Sequence, residues 1–476
     1  MSNQLVKHIS SWSVPDLLEI PAKAIVFFLL VNLLDKETFA MLNLAMMVFS
    51  YHAITQFGVS DWLMYELPKK FSMKKNIQPV LESSFNFSLI NQLIIFLFLV
   101  LFLLFFSDNL FINIAIPAYM MHTLIYNSYL HKTLFLRYKY KFDRLLKLRV
   151  FFIIVRFILE VSALIFFGIY AYLAIEAIIF LVPLILLKDD LALNIKLNMT
   201  LKKYKSLAMN GAPFFVVTLL TIMLGNMDRW FIVSVYGLEW FATYSVGIFI
   251  VTVLLIVPGK VLSISTQYLK ELFIIIHDRN LNIIRSFSVN NFLLLLLLMV
   301  LITIGNTFEY LVLQYLSKYK AVTPLINVLI LSILLKYSVS LSSNVLYLLD
   351  RRGDVAKIQV FTTALYIIVL SAIYYQDYDI LSVLWGVNFV LLTQIIINLL
   401  LIFTLKDFDF HLEILRFSML ILIAFSYYFL NDFFVFIVPW YIYIMMILFV
   451  CIYNFKSMWE SLSYVSTRSF EKDLTH

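Results

Sequence analysis

An all-α bundle of about fourteen membrane-spanning helices is the fold class this sequence predicts. Three observations lead there. Of the 476 residues, 62% are hydrophobic and only 14% are charged, with a mean hydropathy of +0.92. A soluble domain carries close to twice that charged fraction, so most of this surface faces something other than water. Apolar runs of spanning length also follow one another along the whole chain. Finally, Lys and Arg gather in alternate loops.

The spans read off in order. The first half holds Pro15–Leu34, Glu37–Phe57, Phe85–Phe106, Asn109–Tyr129, Val150–Gly168 and Tyr170–Leu187. The second half holds Met209–Val235, Phe241–Val257, Ser286–Ile304, Val322–Tyr347, Ile358–Tyr375 and Ile380–Leu405. A last pair, Phe417–Leu430 and Phe433–Tyr453, follows; the first of the two is short and needs bilayer thinning or a snorkelling Arg416. This divides the chain into residues 1–206, 207–408 and an accessory 409–476. The first apolar stretch is too long for the core of a cleaved leader, so none is expected.

Orientation follows from the loops. Every even-numbered span is followed by a basic segment: Lys69 to Lys75, Lys132 to Arg149, Lys188 to Lys205, Lys260 to Arg285, Arg351 to Lys357, Lys406 with Arg416, and the tail with Lys456, Arg468 and Lys472. Of the 36 Lys and Arg residues, 29 fall in these segments or the N-terminal tail, and only Lys36, Lys318 and Lys320 follow odd spans. Positive charge stays inside, so both termini and the even loops are cytoplasmic. A miscounted helix would scramble that alternation, which supports an even number of spans. The stretch Ser263–Ile284 mixes charged and apolar residues and reads as an amphipathic helix on the inner surface. Asn198 with Thr200 matches a glycosylation sequon, but its loop is cytoplasmic and the match is chance.

Charge and cysteine set exclusions. The net charge of +7 reflects cytoplasmic loops rather than a nucleic-acid partner. The single cysteine, Cys451, excludes an intrachain disulfide and a Cys-based metal cluster. No Gly-rich Lys-Ser/Thr phosphate loop, zinc-spaced His or Cys set, or nucleophile elbow is present. No cofactor is expected, and no loop is long enough for a catalytic domain. ATP hydrolysis by this chain alone is excluded, so transport would run on an ion gradient or on consumption of its product.

A repeat organises the chain. After the first span comes Glu37-x-Phe39-Ala40, and after the seventh Glu239-x-Phe241-Ala242. The copies are six spans apart, an even number, so both hairpins share one orientation. The run from Asn226 through Asp228, Arg229 and Ile232 to Gly237, Glu239, Ala242, Tyr244 and Ser245 resembles the seventh-to-eighth helix signature of Wzx-type polysaccharide flippases, members of the multidrug/oligosaccharidyl-lipid/polysaccharide exporter superfamily. Glu37 to Asp61, with Gln56 and Gly58, is similar to that family's first hairpin, though Leu34, Asp35 and Lys36 stand where a Gly-Pro is usual. The resemblance implies two pseudo-symmetric six-helix lobes around a central cavity, with the last two helices packed outside. It also implies alternating access at the bacterial inner membrane. The implied cargo is a polyprenyl-diphosphate-linked glycan, an O-antigen, capsule or exopolysaccharide unit. Membrane lipids and other polysaccharide-assembly proteins are the implied partners.

Charges inside spans are functional candidates, since each costs roughly 2.5–3.5 kcal/mol at mid-bilayer. Four basic residues qualify as cargo ligands: Lys23, Arg156, Arg229 and Lys336. A diphosphate suits them, because Arg matches phosphate oxygens with a fork and Lys offers a compact charge. Plainer readings stand beside each. Arg156 is four residues before Glu160, and the two pair on one helix face. Asp228 and Arg229 lie near the outer interface, where both snorkel. Lys23 follows Asp16 and Glu19 at the inner end. Lys336 is deepest, beside Tyr337, Ser338 and Ser340. Glu176 is a proton or cation candidate, while His52 and His122 read as packed core residues. Two further functions compete: a drug or organic-cation exporter, which would want acidic cavity walls, and a membrane polymerase or ligase. The latter typically needs a long outer loop carrying Arg and His, which Gly305–Ala321 does not supply.

The topology is open to direct measurement. Reporter fusions after Asp143 and Glu471 are expected to behave as cytoplasmic, and an extracytoplasmic signal at either position overturns the fourteen-span reading.

Overall fold

A computed structural model describes residues 2–72, 77–138, 142–187, 199–275, 312, 314–348, 351–404, 418 and 421. The predicted spans Ser286–Ile304 and Phe433–Tyr453 lie outside those residues, as does Phe417–Leu430 apart from Ser418 and Ile421. Among the described residues every regular element is helical. Among the described residues, seven stretches are long and apolar enough to cross a membrane. The protein is an all-α polytopic membrane bundle. In a bilayer that is forced, because only a helix satisfies its own backbone without a partner strand.

The helices are α1 (Ser2–Leu33), α2 (Lys36–Ser50), α3 (Val59–Ser72), α4 (Gln78–Phe106), α5 (Leu110–Tyr138), α6 (Phe142–Phe166), α7 (Ile169–Ile178) and α8 (Leu181–Leu186). They continue with α9 (Leu201–Ile275), α10 (Thr323–Leu348), α11 (Arg352–Tyr375) and α12 (Ile380–Phe403). Packing groups them into two compact units. One comprises Ser10–Val233 with Gly237–Ala242; the other comprises Met1–Ile9, Ser234–Tyr236 and Thr243–His476.

Two predicted spans turn out to be interrupted. The second leaves α-helix at Tyr51–Gln56, a 3-10 turn, and then reverses through Phe57 (φ 48°) and Gly58 (φ 67°) into α3. Gly58 is required there, since a Cβ would lie 2.4 Å from the carbonyl oxygen of Gly211 and from the backbone nitrogen of Phe215. The sixth breaks between α7 and α8 ahead of Pro183, which cannot donate to residue 179 and crowds its carbonyl. The seventh and eighth run as α9, whose backbone leaves helical geometry at Gly237 (φ 82°, ψ 180°). That is where the sequence predicts a turn. The predicted surface segment Ser263–Ile284 is helical in backbone as far as Ile275.

The predicted repeat has matching burial in both copies. Phe39 and Phe241 are each 1% exposed, and Ala40 and Ala242 are fully enclosed. Ahead of the first copy Asp35 caps α2, accepting the Thr38 backbone N–H at 2.8 Å and its hydroxyl at 2.8 Å. Those bonds, the backbone one first, hold the Asp35 carboxyl below the usual carboxylate range. Lys36 of the first hairpin forms an ion pair with Glu239 of the second.

In the second unit α10 is the centre. The stretch through it is the most enclosed of the described spanning segments, 78% buried. The α12 side chain Asn398 donates to Ser342 at 2.8 Å and to Ser343 at 3.2 Å, and Asn388 donates to the Val328 carbonyl at 3.3 Å. Such side-chain bonds hold helices together where lipid offers no hydrophobic drive.

The Gly58–Gly211 contact supplies a stability test. In Gly211→Ala the new methyl would stand 2.2 Å from the Phe57 carbonyl oxygen, and overpacking of this kind costs about 1–3 kcal/mol. Thermal unfolding of the detergent-solubilised protein is expected to show a lowered Tm for Gly211→Ala, with Gly225→Ala, where nothing lies within 4 Å, close to the parent.

Candidate functional site

The strongest constellation of charge lies within the first unit, where α5, α6 and α7 pack together. Helix α6 presents Arg156 and Glu160 one turn apart, and they form an ion pair. The same guanidinium reaches across to α7, where its NH2 group lies 2.6 Å from Glu176 Oε1. On the other side of Glu176 stands His122 of α5. Its Nδ1 is 2.7 Å from the Glu176 carbonyl oxygen and 3.1 Å from Oε2. Tyr172, one turn before Glu176, donates its hydroxyl to Oε1 at 3.4 Å.

Burial defines the electrostatics. The carboxyl side chains are 7% and 4% exposed, and Arg156 is 25% exposed. Rings roof the cluster. Phe180, just beyond α7, meets His122 at 4.9 Å, Tyr126 at 4.9 Å and Phe152 at 4.8 Å between centroids. Phe49 packs edge-on to His122 at 5.6 Å and stacks on His52 at 4.8 Å. In such surroundings an unpaired charge is costly, so the carboxylates and the guanidinium require one another.

Of the two readings left open for Arg156, the paired one describes this geometry, with Glu176 as a third member that helix-face arithmetic within α6 could not supply. His122 is packed in the core as the sequence suggests, 8% exposed, and its ring is in addition bonded to Glu176. The stripe Tyr119, His122, Tyr126 along α5 carried the available signal, since polar and aromatic groups one turn apart rarely face lipid.

The other candidates lie elsewhere. Lys23 pairs with Glu19 at 2.7 Å on α1, its side chain 45% exposed. Asp228 is 1% exposed and accepts the Arg229 backbone N–H at 2.9 Å. Snorkelling therefore does not describe Asp228. The run around it is anchored to the second span: Asn226 donates to Ser50 at 3.0 Å and Trp230 to the Tyr51 hydroxyl at 3.0 Å. A cavity of about 280 Å³ opens beside this contact, lined by Tyr51, His52, Thr55, Leu99, Met120 and Trp230. Lys336 sits in the other unit, half-buried on α10. Tyr337 and Ser338 beside it turn inward and Ser340 is exposed.

A second polar group was not legible in the sequence. Ser88, Asn91 and Gln92 of α4 face Asn127 and His131 of α5, all at most 4% exposed. Tyr204 of α9 donates to Asn91, and Asn127 to Gln92 at 3.3 Å.

Comparison with known proteins bears on the fold. No family model matches the sequence, and no curated protein matches it either. Solved structures do. The Vibrio cholerae MATE transporter VcmN, as its D35N mutant, superposes with a TM-score of 0.63 at 14% identity, over 84% of this chain and 96% of that one. An outward-facing multidrug resistance MATE family transporter of the MOP superfamily gives 0.57 at 14% identity, over 87% and 96%. An inward-facing one gives 0.57 at 13%, over 84% and 95%. The chain has the MATE fold. At these identities the likeness is one of architecture.

The ion cluster makes a stability prediction. Arg156→Met strands two buried carboxyls and is expected to cost about 3–5 kcal/mol. Adding Glu160→Gln and Glu176→Gln to it should recover most of that loss, because the charges then leave together. Thermal unfolding of the single and triple variants checks this; equal losses in the two would mean the pairing contributes nothing.

Proposed function

We propose that this protein is an alternating-access transporter that carries a polyprenyl-diphosphate-linked oligosaccharide across the bacterial inner membrane. Lys336 is the observation that supports this reading most. It stands mid-span on the most enclosed of the described spanning segments, half-buried, beside Tyr337 and Ser338. A charge at that depth belongs in polar surroundings, and a diphosphate crossing the membrane is an anion of the chemistry a lysine there would bind. Arg229, which follows the buried Asp228 in the flippase-like hairpin, and Lys23 are the further cargo ligands in this reading. Arg156 is the weakest of the four, since two carboxylates already take up its fork. The glycan's lipid partner places the protein in the inner membrane, with N- and C-termini cytoplasmic and glycan-assembly proteins as neighbours. No enzymatic step is part of this reading.

One specific observation favours a second reading. Glu160, Glu176 and Asp228 are buried acids within spans, the wall chemistry that an organic-cation exporter needs, and the MATE neighbours include multidrug resistance transporters. The two readings separate in the deletion strain. A flippase deletion is expected to abolish surface glycan while its lipid-linked precursor accumulates on the inner leaflet; intact glycan with sensitivity to cationic drugs would replace this reading with the exporter.

At the residue level, Lys336→Ala is expected to keep near-normal membrane abundance yet lose most transport, and Lys336→Arg to keep part of it. Full surface glycan in the alanine variant at matched expression removes Lys336 from the cargo path.

A further inference from the structure

We propose that the enclosed seam between α4 and α5 binds internal water, held by Ser88, Asn91, Gln92, Asn127 and His131.

Helical periodicity builds the seam. On α4, Ser88, Asn91 and Gln92 fall within about one turn; on α5, Asn127 and His131 stand one turn apart. Asn127 donates across to Gln92 at 3.3 Å, and the His131 ring lies 5.4 Å from that of Phe85. The two helices therefore run antiparallel here, and Ser88 comes level with His131. All of these polar residues are at most 4% exposed. Each nevertheless keeps a side-chain atom with no hydrogen-bond partner among the described residues: Ser88 Oγ, Asn91 Nδ2, Gln92 Nε2, Asn127 Oδ1 and His131 Nε2.

Ser88 departs from its neighbours. A hydroxyl within a helix commonly returns its proton to a carbonyl one turn back. Ser83, Ser84, Thr123 and Thr133 all do so, whereas Ser88 does not. The amides are each half used. Asn91 Oδ1 accepts from Tyr204 of α9, which leaves the Asn91 NH2 over. The bond from Asn127 to Gln92 leaves a donor on Gln92 and an acceptor on Asn127. His131 Nδ1 lies 2.8 Å from the Asn127 carbonyl oxygen, which can only accept, so Nδ1 carries the hydrogen. In the neutral ring Nε2 then presents a lone pair.

The free groups select the ligand. Asn91 and Gln92 offer N–H donors, Asn127 and His131 offer acceptors, and the Ser88 hydroxyl serves either way. A cation would meet the amide hydrogens; an anion would meet the Asn127 oxygen and the imidazole lone pair. Water both donates and accepts, carries no charge and is small enough for so enclosed a seam. A buried water makes about three hydrogen bonds, and the seam supplies that number on facing helices. One bridge runs from Gln92 Nε2 through water to Asn127 Oδ1. Polar groups left unanswered in a membrane interior are costly, so the water becomes part of how α4 and α5 pack. Through Asn91 and Tyr204 the start of α9 joins the same network.

The site does not depend on the cargo, and its test uses the full chain in vesicles of phosphatidylethanolamine and phosphatidylglycerol. Brief X-ray exposure splits bound water into hydroxyl radicals that oxidise the side chains beside it. Phe85, 2% exposed and packed on His131, is compared with Phe39 and Phe241, each 1% exposed. The expected result is oxidation at His131 and Phe85, with Phe85 modified several-fold faster than either control. Equal rates at Phe85, Phe39 and Phe241 overturn the proposal. In the double variant Gln92→Leu with Asn127→Leu the bridge is gone, and the Phe85 rate is expected to fall to that of the controls. A parental rate in the folded double variant overturns the proposal as well. Should that variant fail to fold, a high-resolution density map of the parent decides. A solvent peak within hydrogen-bond reach of two or more of the free atoms supports the site, and a seam without one overturns it. Neither readout involves transport, so failure here leaves the deletion phenotype untouched and the two ideas fall separately.

Discussion

A guanidinium held between two carboxylates on adjacent helices is the interaction on which the first unit depends. Arg156 cannot ionise into lipid alone, and Glu160 and Glu176 cannot sit side by side without it. Once the three meet, the spacing of α6 and α7 is set, and His122 brings α5 to the same point. The aromatic residues around Phe180 then close over the group and keep water out. Each ring contact is worth little; together they fix the low-dielectric setting that makes the charges demanding.

The second constraint is backbone satisfaction in lipid. Every break in a spanning helix must have its freed groups answered nearby. At Tyr51–Gln56 the answer is local: Thr55 and Ser50 return hydrogen bonds to the His52 and Met47 carbonyls, and Phe57 and Gly58 turn the chain through left-handed backbone. The break is useful as well as tolerated. It opens the wall where Tyr51 and Trp230 meet and the cavity forms. It also lets the α3 turn press against Gly211 at backbone distance, which binds the seventh span to the second. Gly237 plays a different part, interrupting α9 in open space so that the second Glu-x-Phe-Ala hairpin can fold like the first.

The two units solve internal polarity differently. The first concentrates full charges in one place and amides in another. The second uses neutral groups throughout its described interior, with Asn388, Asn398 and the serines of α10 stitched across helices. Its mid-span cation among the described residues, Lys336, is only half-buried. A neutral seam gives modest, distributed stabilisation, on the order of 0.6 kcal/mol per bond in a membrane. A charged cluster gives more but fails as a whole when one member is removed.

Much of this was present in the sequence. Composition and loop charge dictated an all-helical membrane protein, because lipid excludes every other backbone arrangement open to a chain this apolar. The Glu-x-Phe-Ala repeat marked two hairpins whose Phe and Ala are buried alike, and the i, i+4 spacing of Arg156 and Glu160 announced their pair. What the sequence did not decide was every contact between distant spans. His122 and Glu176 are 54 residues apart, and nothing in either span's periodicity says that α5 and α7 face each other there. Nor did it show that Asp228 is buried rather than snorkelling, or that the second span breaks at Phe57. Those outcomes depend on which helix lies opposite, and in a chain whose spans are uniformly apolar, hydrophobic periodicity carries little information about neighbours. The sequence by itself determined what kind of element each segment must be; tertiary packing alone decided which charges share a site.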